Sequence, residues 1–265
     1  MDILTAEDWQ FDRARQFMSE RFVPLAVKIT IGYLVALYVG SRIMRNRQPM
    51  KLDWVLSVWN AVFAVFSLIA LLRLWPEFHW AVSNLGVVGS YCYNANYYND
   101  PISGYWGWLF TVSKTVELGD SFFLVLRKRP LIFLHWYHHA YTFLYAQFTY
   151  SQAQAFPRWA LVMNLAVHTV MYSYFFLRSM KVRLPGWVAQ SITSMQIVQF
   201  IVGCAIVFHL VYIKLFQAQL ECSSNWKILV VGMAMYVSYI ALFGRFFYQA
   251  YVVKRKPGVA EKKAN

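Results

Sequence analysis

The chain alternates long apolar blocks with short charged ones. Seven blocks can be drawn, at approximately 24–43, 53–75, 103–126, 131–150, 158–178, 187–214 and 227–251. Each reaches the ~20 residues that, at ~1.5 Å rise, carry a helix across a hydrocarbon core of about 30 Å. The pattern predicts an all-α integral membrane protein with seven transmembrane helices. The fourth block carries three histidines, which leaves open a re-entrant start for it. No internal repeat is visible and the linkers are too short to hold a second domain. The expectation is one polytopic membrane domain over 1–265, with 252–265 as a basic tail.

Composition agrees with that picture: of 265 residues, 59% are apolar and 14% charged, against roughly 45–50% apolar for soluble domains. A soluble enzyme, a disordered chain and a coiled coil are all disfavoured. The net charge of +13 would suggest nucleic acid in a soluble protein, but here the cations flank the apolar blocks and report orientation, so no nucleic-acid partner is expected. Fifteen Lys and Arg fall at one set of ends, which include the 44–52, 127–130 and 179–186 loops and the C-terminal tail, and eight at the other. The positive-inside bias places the first set in the cytosol and the N-terminus in a lumen. The opening stretch, with Asp2, Glu7, Asp8, Asp12 and Glu20, lacks the features of a cleaved signal peptide. Lys262 and Lys263, fourth and third from the end, resemble a dilysine retrieval signal and imply an endoplasmic-reticulum membrane address.

Polar groups inside the blocks carry the chemistry. An ionisable side chain at mid-bilayer costs roughly 2.5–3.5 kcal/mol, and the third block holds Lys114, Glu117 and Asp120, which share about a third of a helix surface. Alone they read equally well as an ion-pair staple. The fourth block places His135, His138 and His139 within an arc of about 100°, offering a metal ligand, a general base or a nucleophile. The fifth aligns Asn164, His168 and Tyr172, and the sixth Thr193, Gln196 and Gln199, patterns that by themselves suit interhelical hydrogen bonds. Measured from the cytosolic end of each block, these groups and Arg245 converge on one layer roughly 6–20 Å deep. A single polar chamber opening to the cytosol accounts for that coincidence. On the opposite side Cys92 and Cys222 share the oxidising face, which predicts a disulfide and leaves Cys204 free.

Together, Lys114-x-x-Glu117-x-x-Asp120, His135-x-x-His138-His139, Asn164-x-x-x-His168-x-x-Met171-Tyr172-x-Tyr174 and Thr193-x-x-Gln196-x-x-Gln199 resemble the very-long-chain fatty-acid elongase family over residues 20–255. These are membrane condensing enzymes that make 3-oxoacyl-CoA, CoA and CO2 from long-chain acyl-CoA and malonyl-CoA. Ser121 and Phe175 depart from the family's usual Thr and Tyr, and Phe175 gets no polar role. Trp136 and Pro130 are similar to the branch acting on saturated and monounsaturated chains near palmitoyl length. The resemblance implies six helices in a ring around a closed-ended acyl tunnel, with the first packed outside. It implies an acyl-imidazole on His138, with His135 and His139 as neighbours in acid/base or orienting roles and His168 and Asn164 facing them as oxygen stabilisers. Lys114, Glu117, Asp120, Tyr172, Tyr174, Gln196, Gln199 and Arg245 would shape the substrate pocket, and Arg127, Lys128 and Arg129 would meet CoA phosphates. No bound metal or other cofactor is implied. Expected partners are acyl-CoA, malonyl-CoA and the bilayer; the other enzymes of the elongation cycle and a second copy of the chain are candidates.

Two rivals use the same residues. A membrane di-iron desaturase or hydroxylase also carries His-x-x-His-His, yet His79 and His209 sit toward the lumenal side and leave four histidines at the right depth. A proton-coupled transporter would use the charged groups as a relay, but the inverted repeats and broken mid-membrane helices of that class are not evident.

Overall fold

The computed structural model describes residues 8–217 and 219–253. Helices occupy all seven apolar segments. α1 (Phe11–Phe17) runs through a π turn (Met18–Phe22) into α2 (Val23–Met44), and α3 follows at Asp53–Cys92. Then come α4 (Pro101–Glu117), α5 (Gly119–Leu126), α6 (Phe133–Ser151), α7 (Pro157–Ser179), α8 (Gly186–Phe216) and α9 (Trp226–Phe247), the last ending in a π turn (Tyr248–Val252). The described residues contain no strand. Starts follow local chemistry: the Asp100 carboxylate accepts from the Ile102 and Ser103 amides at 3.0 and 2.7 Å, Asn225 caps α9, and Pro101 and Pro157 open their helices where no N–H is needed.

Five of these rods are long and apolar enough to cross a membrane: 11–44, 53–92, 157–179, 186–216 and 226–252. The two remaining segments, α4–α5 and α6, carry Lys114, Glu117, Asp120 and the histidines. Outward faces are apolar, with Ile31, Val62, Leu72, Val198, Phe208 and Val230 all more than 45% exposed, as lipid contact requires.

Two sequence expectations are revised. The second helix does not stop before Pro76 but runs to Cys92, with a break at Gly86, whose φ of 70° favours glycine. Pro76 lies inside the helix despite a lost backbone hydrogen bond and a ring clash together worth about 3 kcal/mol, and Glu77 is paired with Arg158 at 2.9 Å across to α7. The third segment is two helices hinged at Leu118. At that hinge Gly119 lets the Trp59 ring approach: a Cβ there would lie 2.7 Å from the indole.

The end of the molecule opposite the histidines is tied down covalently. Cys92 and Cys222 form a disulfide, their Cα atoms 4.5 Å apart, while Cys204 is a free thiol. Beside it Arg158, only 1% exposed, pairs with Glu77 and donates to the carbonyls of Ser90, Tyr93 and Asn94. These bonds hold the end of α3 against the start of α7. Lys262 and Lys263, with the rest of the basic tail from 254, lie outside the described residues.

Candidate active site

Helical phase brings the polar residues of α4 to α8 to one place. On α4, Lys114 and Glu117 are 3% and 5% exposed and paired at 2.7 Å; Lys114 Nζ also donates to Asn164 Oδ1 of α7 at 3.0 Å. Glu117 Oε2 stands 3.8 Å from His168 Nδ1. The hinge at Leu118 turns Asp120 away from this pair. Its carboxylate accepts from Trp59 Nε1 at 2.6 Å and from the Tyr172 hydroxyl at 2.8 Å, and faces His139 Nε2 at 4.0 Å. The charges thus split into two clusters: Lys114 and Glu117 meet α7, and Asp120 meets both α6 and α7.

On α6 the three imidazoles pack together. The rings of His135 and His139 are 4.5 Å apart and those of His138 and His139 5.4 Å. His138 lies among Tyr239 at 4.9 Å, Phe243 at 5.7 Å and Phe200 at 6.1 Å, and the Tyr239 hydroxyl, bonded to Thr142 at 2.8 Å, reaches the His138 carbonyl at 3.0 Å. This wall keeps bulk water from one side of the ring.

Two cavities meet at His138. The wider, about 760 Å3, is lined by His135, His138, His139, Asn164, His168, Asp120, Tyr172, Tyr174, Gln196 and Gln199, and reaches the surface beside Arg127, Arg178 and Lys181. The other is narrow and largely apolar, and runs from His138, Asn164, Gln199 and Phe200 toward Tyr98, Tyr150 and Phe156 at the disulfide end. His138, Asn164, Gln199 and Phe200 line both. Along α6 the wall of the narrow one is His138, Thr142, Tyr145, Ala146, Thr149 and Tyr150, a single helical face. His135 Nε2 and Gln199 Oε1 are buried without a hydrogen-bond partner, which leaves them for water or a ligand. Among the described residues no group of three or more His, Cys, Asp or Glu is arranged to hold a metal ion.

Lys114 and Glu117 line a small space with His138, His139 and His168 rather than the wide cavity itself. Arg245 is exposed and lines neither large cavity, because its position on α9 turns it outward although its depth matches. Arg129 is exposed at the surface and Lys128 donates to the Arg45 and Arg47 carbonyls at 3.1 Å each, joining two loops. Arg127 does line the cavity, paired with Asp53 at 2.6 Å. Sequence reasoning passed over Trp59, Thr142 and Tyr239, and used Arg178 and Lys181 only for orientation. For the last two, their charge at a helix end facing the histidines was the available signal.

The chain matches the family model described as GNS1/SUR4 over residues 17–259. It is 50% identical over 262 residues, 99% of its length and 95% of the relative's, to long chain fatty acid elongase 2 of Caenorhabditis elegans. It is 35% identical over 268 residues, 98% of its length and 99% of the relative's, to human very long chain fatty acid elongase 6. Mouse very long chain fatty acid elongase 3 is 35% identical over 263 residues, covering 99% of this chain and 95% of the relative. With family match and relatives spanning nearly the whole chain, and the histidine cluster inside the matched region, this protein is a member of the GNS1/SUR4 (ELO) family.

Proposed function

We propose that this protein is the condensing enzyme of fatty-acid elongation, converting a long-chain acyl-CoA and malonyl-CoA to 3-oxoacyl-CoA, CoA and CO2. The observation that carries the reading is the position of His138 at the junction of a polar, surface-reaching cavity and a narrow apolar one. An acyl-CoA has the same two halves, joined at its thioester.

In the first step an imidazole nitrogen of His138 attacks the thioester carbonyl, the C–S bond breaks, and CoA leaves as the thiol with the imidazole proton. In the second, malonyl-CoA loses CO2, and the resulting enolate carbon attacks the acyl-imidazole. The new C–C bond forms as the C–N bond breaks, and His138 regains a proton from water. His135 and His139 act as acid/base or orienting neighbours, and Asn164 and His168 face the developing oxyanion, a role worth a few kcal/mol in a site poor in water. Lys114 and Glu117 hold Asn164 and His168 in place, and Asp120 does the same for His139. Tyr172, Tyr174, Gln196 and Gln199 shape the pocket, and Arg127, Arg178 and Lys181 receive the CoA phosphates.

The helices form one membrane domain of seven spans, six of them ringing the acyl tunnel and the first outside. The histidine end faces the cytosol, the disulfide end the endoplasmic-reticulum lumen. Along α6, His138 and Tyr150 are about 18 Å apart in rise, and an extended alkyl chain advances about 1.25 Å per carbon. The tunnel therefore takes roughly 14 carbons beyond the carbonyl, in keeping with a palmitoyl-type substrate. His138→Ala tests the assignment: condensation should vanish while expression and membrane insertion persist, and retained turnover would remove His138 as nucleophile.

A further inference from the structure

The narrow cavity ends on rings that are themselves held from behind. Tyr98 and Tyr150, 4% and 5% exposed, both line its far end and meet edge-on at 5.7 Å. Outside the cavity, Phe11 stacks on Tyr98 at 4.8 Å and meets Tyr150 edge-on at 6.3 Å. The Tyr98 hydroxyl is anchored to the Gln154 carbonyl at 2.6 Å. The Tyr150 hydroxyl is buried with no hydrogen-bond partner, so packing alone fixes that ring.

The segment bearing Phe11 is fastened on both sides. Trp9 Nε1 donates to the Tyr98 carbonyl at 2.8 Å and Arg15 Nε to the Ser151 carbonyl at 3.3 Å. The Trp9 indole lies against Gly104, where a Cβ would collide with it and with the Tyr98 carbonyl.

We infer that the N-terminal segment sets the upper limit of acyl length, with Phe11 as the positioning residue that holds the Tyr98 and Tyr150 rings across the end of the tunnel. The inference rests on the elongase reading above. The tunnel lining itself contains no part of residues 8–17, so the limit is imposed through a second layer. Loss of a ring about 3.5 Å thick from that layer gives Tyr98 and Tyr150 room to recede by the length of two to three carbons.

The test is condensation by the full-length protein in membranes, with malonyl-CoA and a series of saturated acyl-CoAs of increasing length. Phe11→Ala should raise the longest accepted chain by about two carbons, and Phe11→Trp should lower it, while Phe11→Leu stays near the unaltered limit. In all three, kcat/KM for shorter chains should remain within about twofold, and the change at the longest chains should fall in KM. General weakening of the fold cannot move the limit in opposite directions. An unchanged limit in Phe11→Trp, or an equal loss of rate at every length in Phe11→Ala, would overturn the inference while the elongase reading stands. If Phe11→Ala does not accumulate, Phe11→Trp against Phe11→Leu decides. No condensation by the unaltered protein at any length would overturn the reading beneath it as well.

Discussion

Among the described residues two cations are buried, Lys114 in the histidine half and Arg158 in the disulfide half, and their surroundings differ in kind. Arg158 engages all three guanidinium nitrogens, pairing with the Glu77 carboxylate and donating to the Ser90, Tyr93 and Asn94 carbonyls, with the Tyr97 ring 5.1 Å away. Four of its partners belong to one stretch of chain, so the cluster closes on itself. Lys114 spends two donors on Glu117 and Asn164 and lies 4.2 Å over the Phe110 ring. Its partners face outward from the pair: Glu117 stands against His168, and Asn164 lines both large cavities. Equal burial thus serves two ends. One charge has mostly backbone partners and closes on itself; the other has side-chain partners that line cavities beside the histidines.

That distinction orders the expected consequences of mutation. Arg158→Met strands a carboxylate and three carbonyls and should destabilise by about 3–5 kcal/mol, read as the thermal midpoint in detergent; a midpoint near that of the unaltered protein would break the contrast. Cys92→Ser with Cys222→Ser should cost about 2–4 kcal/mol and leave turnover intact at temperatures below melting. A large fall in kcat would instead tie the disulfide end to the chemistry. Glu117→Gln keeps the shape but removes the charge between Lys114 and His168, and should slow condensation about 100-fold, or about 2.7 kcal/mol of transition-state stabilisation, with less loss of stability than Arg158→Met. The reverse ranking would make Lys114 and Glu117 a staple like Arg158. Phe175→Tyr, at a 47%-exposed position on the cavity wall, should change stability by less than about 0.5 kcal/mol and barely alter kcat.

The histidine half was the more legible in sequence. Periodicity alone puts His135, His138 and His139 on one face, and membrane cost marks Lys114, Glu117 and Asp120 as inward. Depth without azimuth misled at Arg245, which lies at the right level but points away. The disulfide half hid its logic: Arg158 reads as a flanking cation and Pro76-Glu77 as a loop, because the pairing that cancels both charges joins residues 81 apart in sequence. The same limit applies to Trp59, Tyr239 and Phe11. Each is an ordinary aromatic in its own segment and gains its role only from a partner on another helix.

His138 is proposed as the group that carries the acyl chain. The most direct measurement is mass spectrometry of the purified protein after exposure to palmitoyl-CoA without malonyl-CoA, with free CoA quantified in the same sample. A palmitoyl adduct on His138 is expected, with one CoA released for each adduct. CoA released only when malonyl-CoA is present, or an adduct on a different residue, would contradict that proposal.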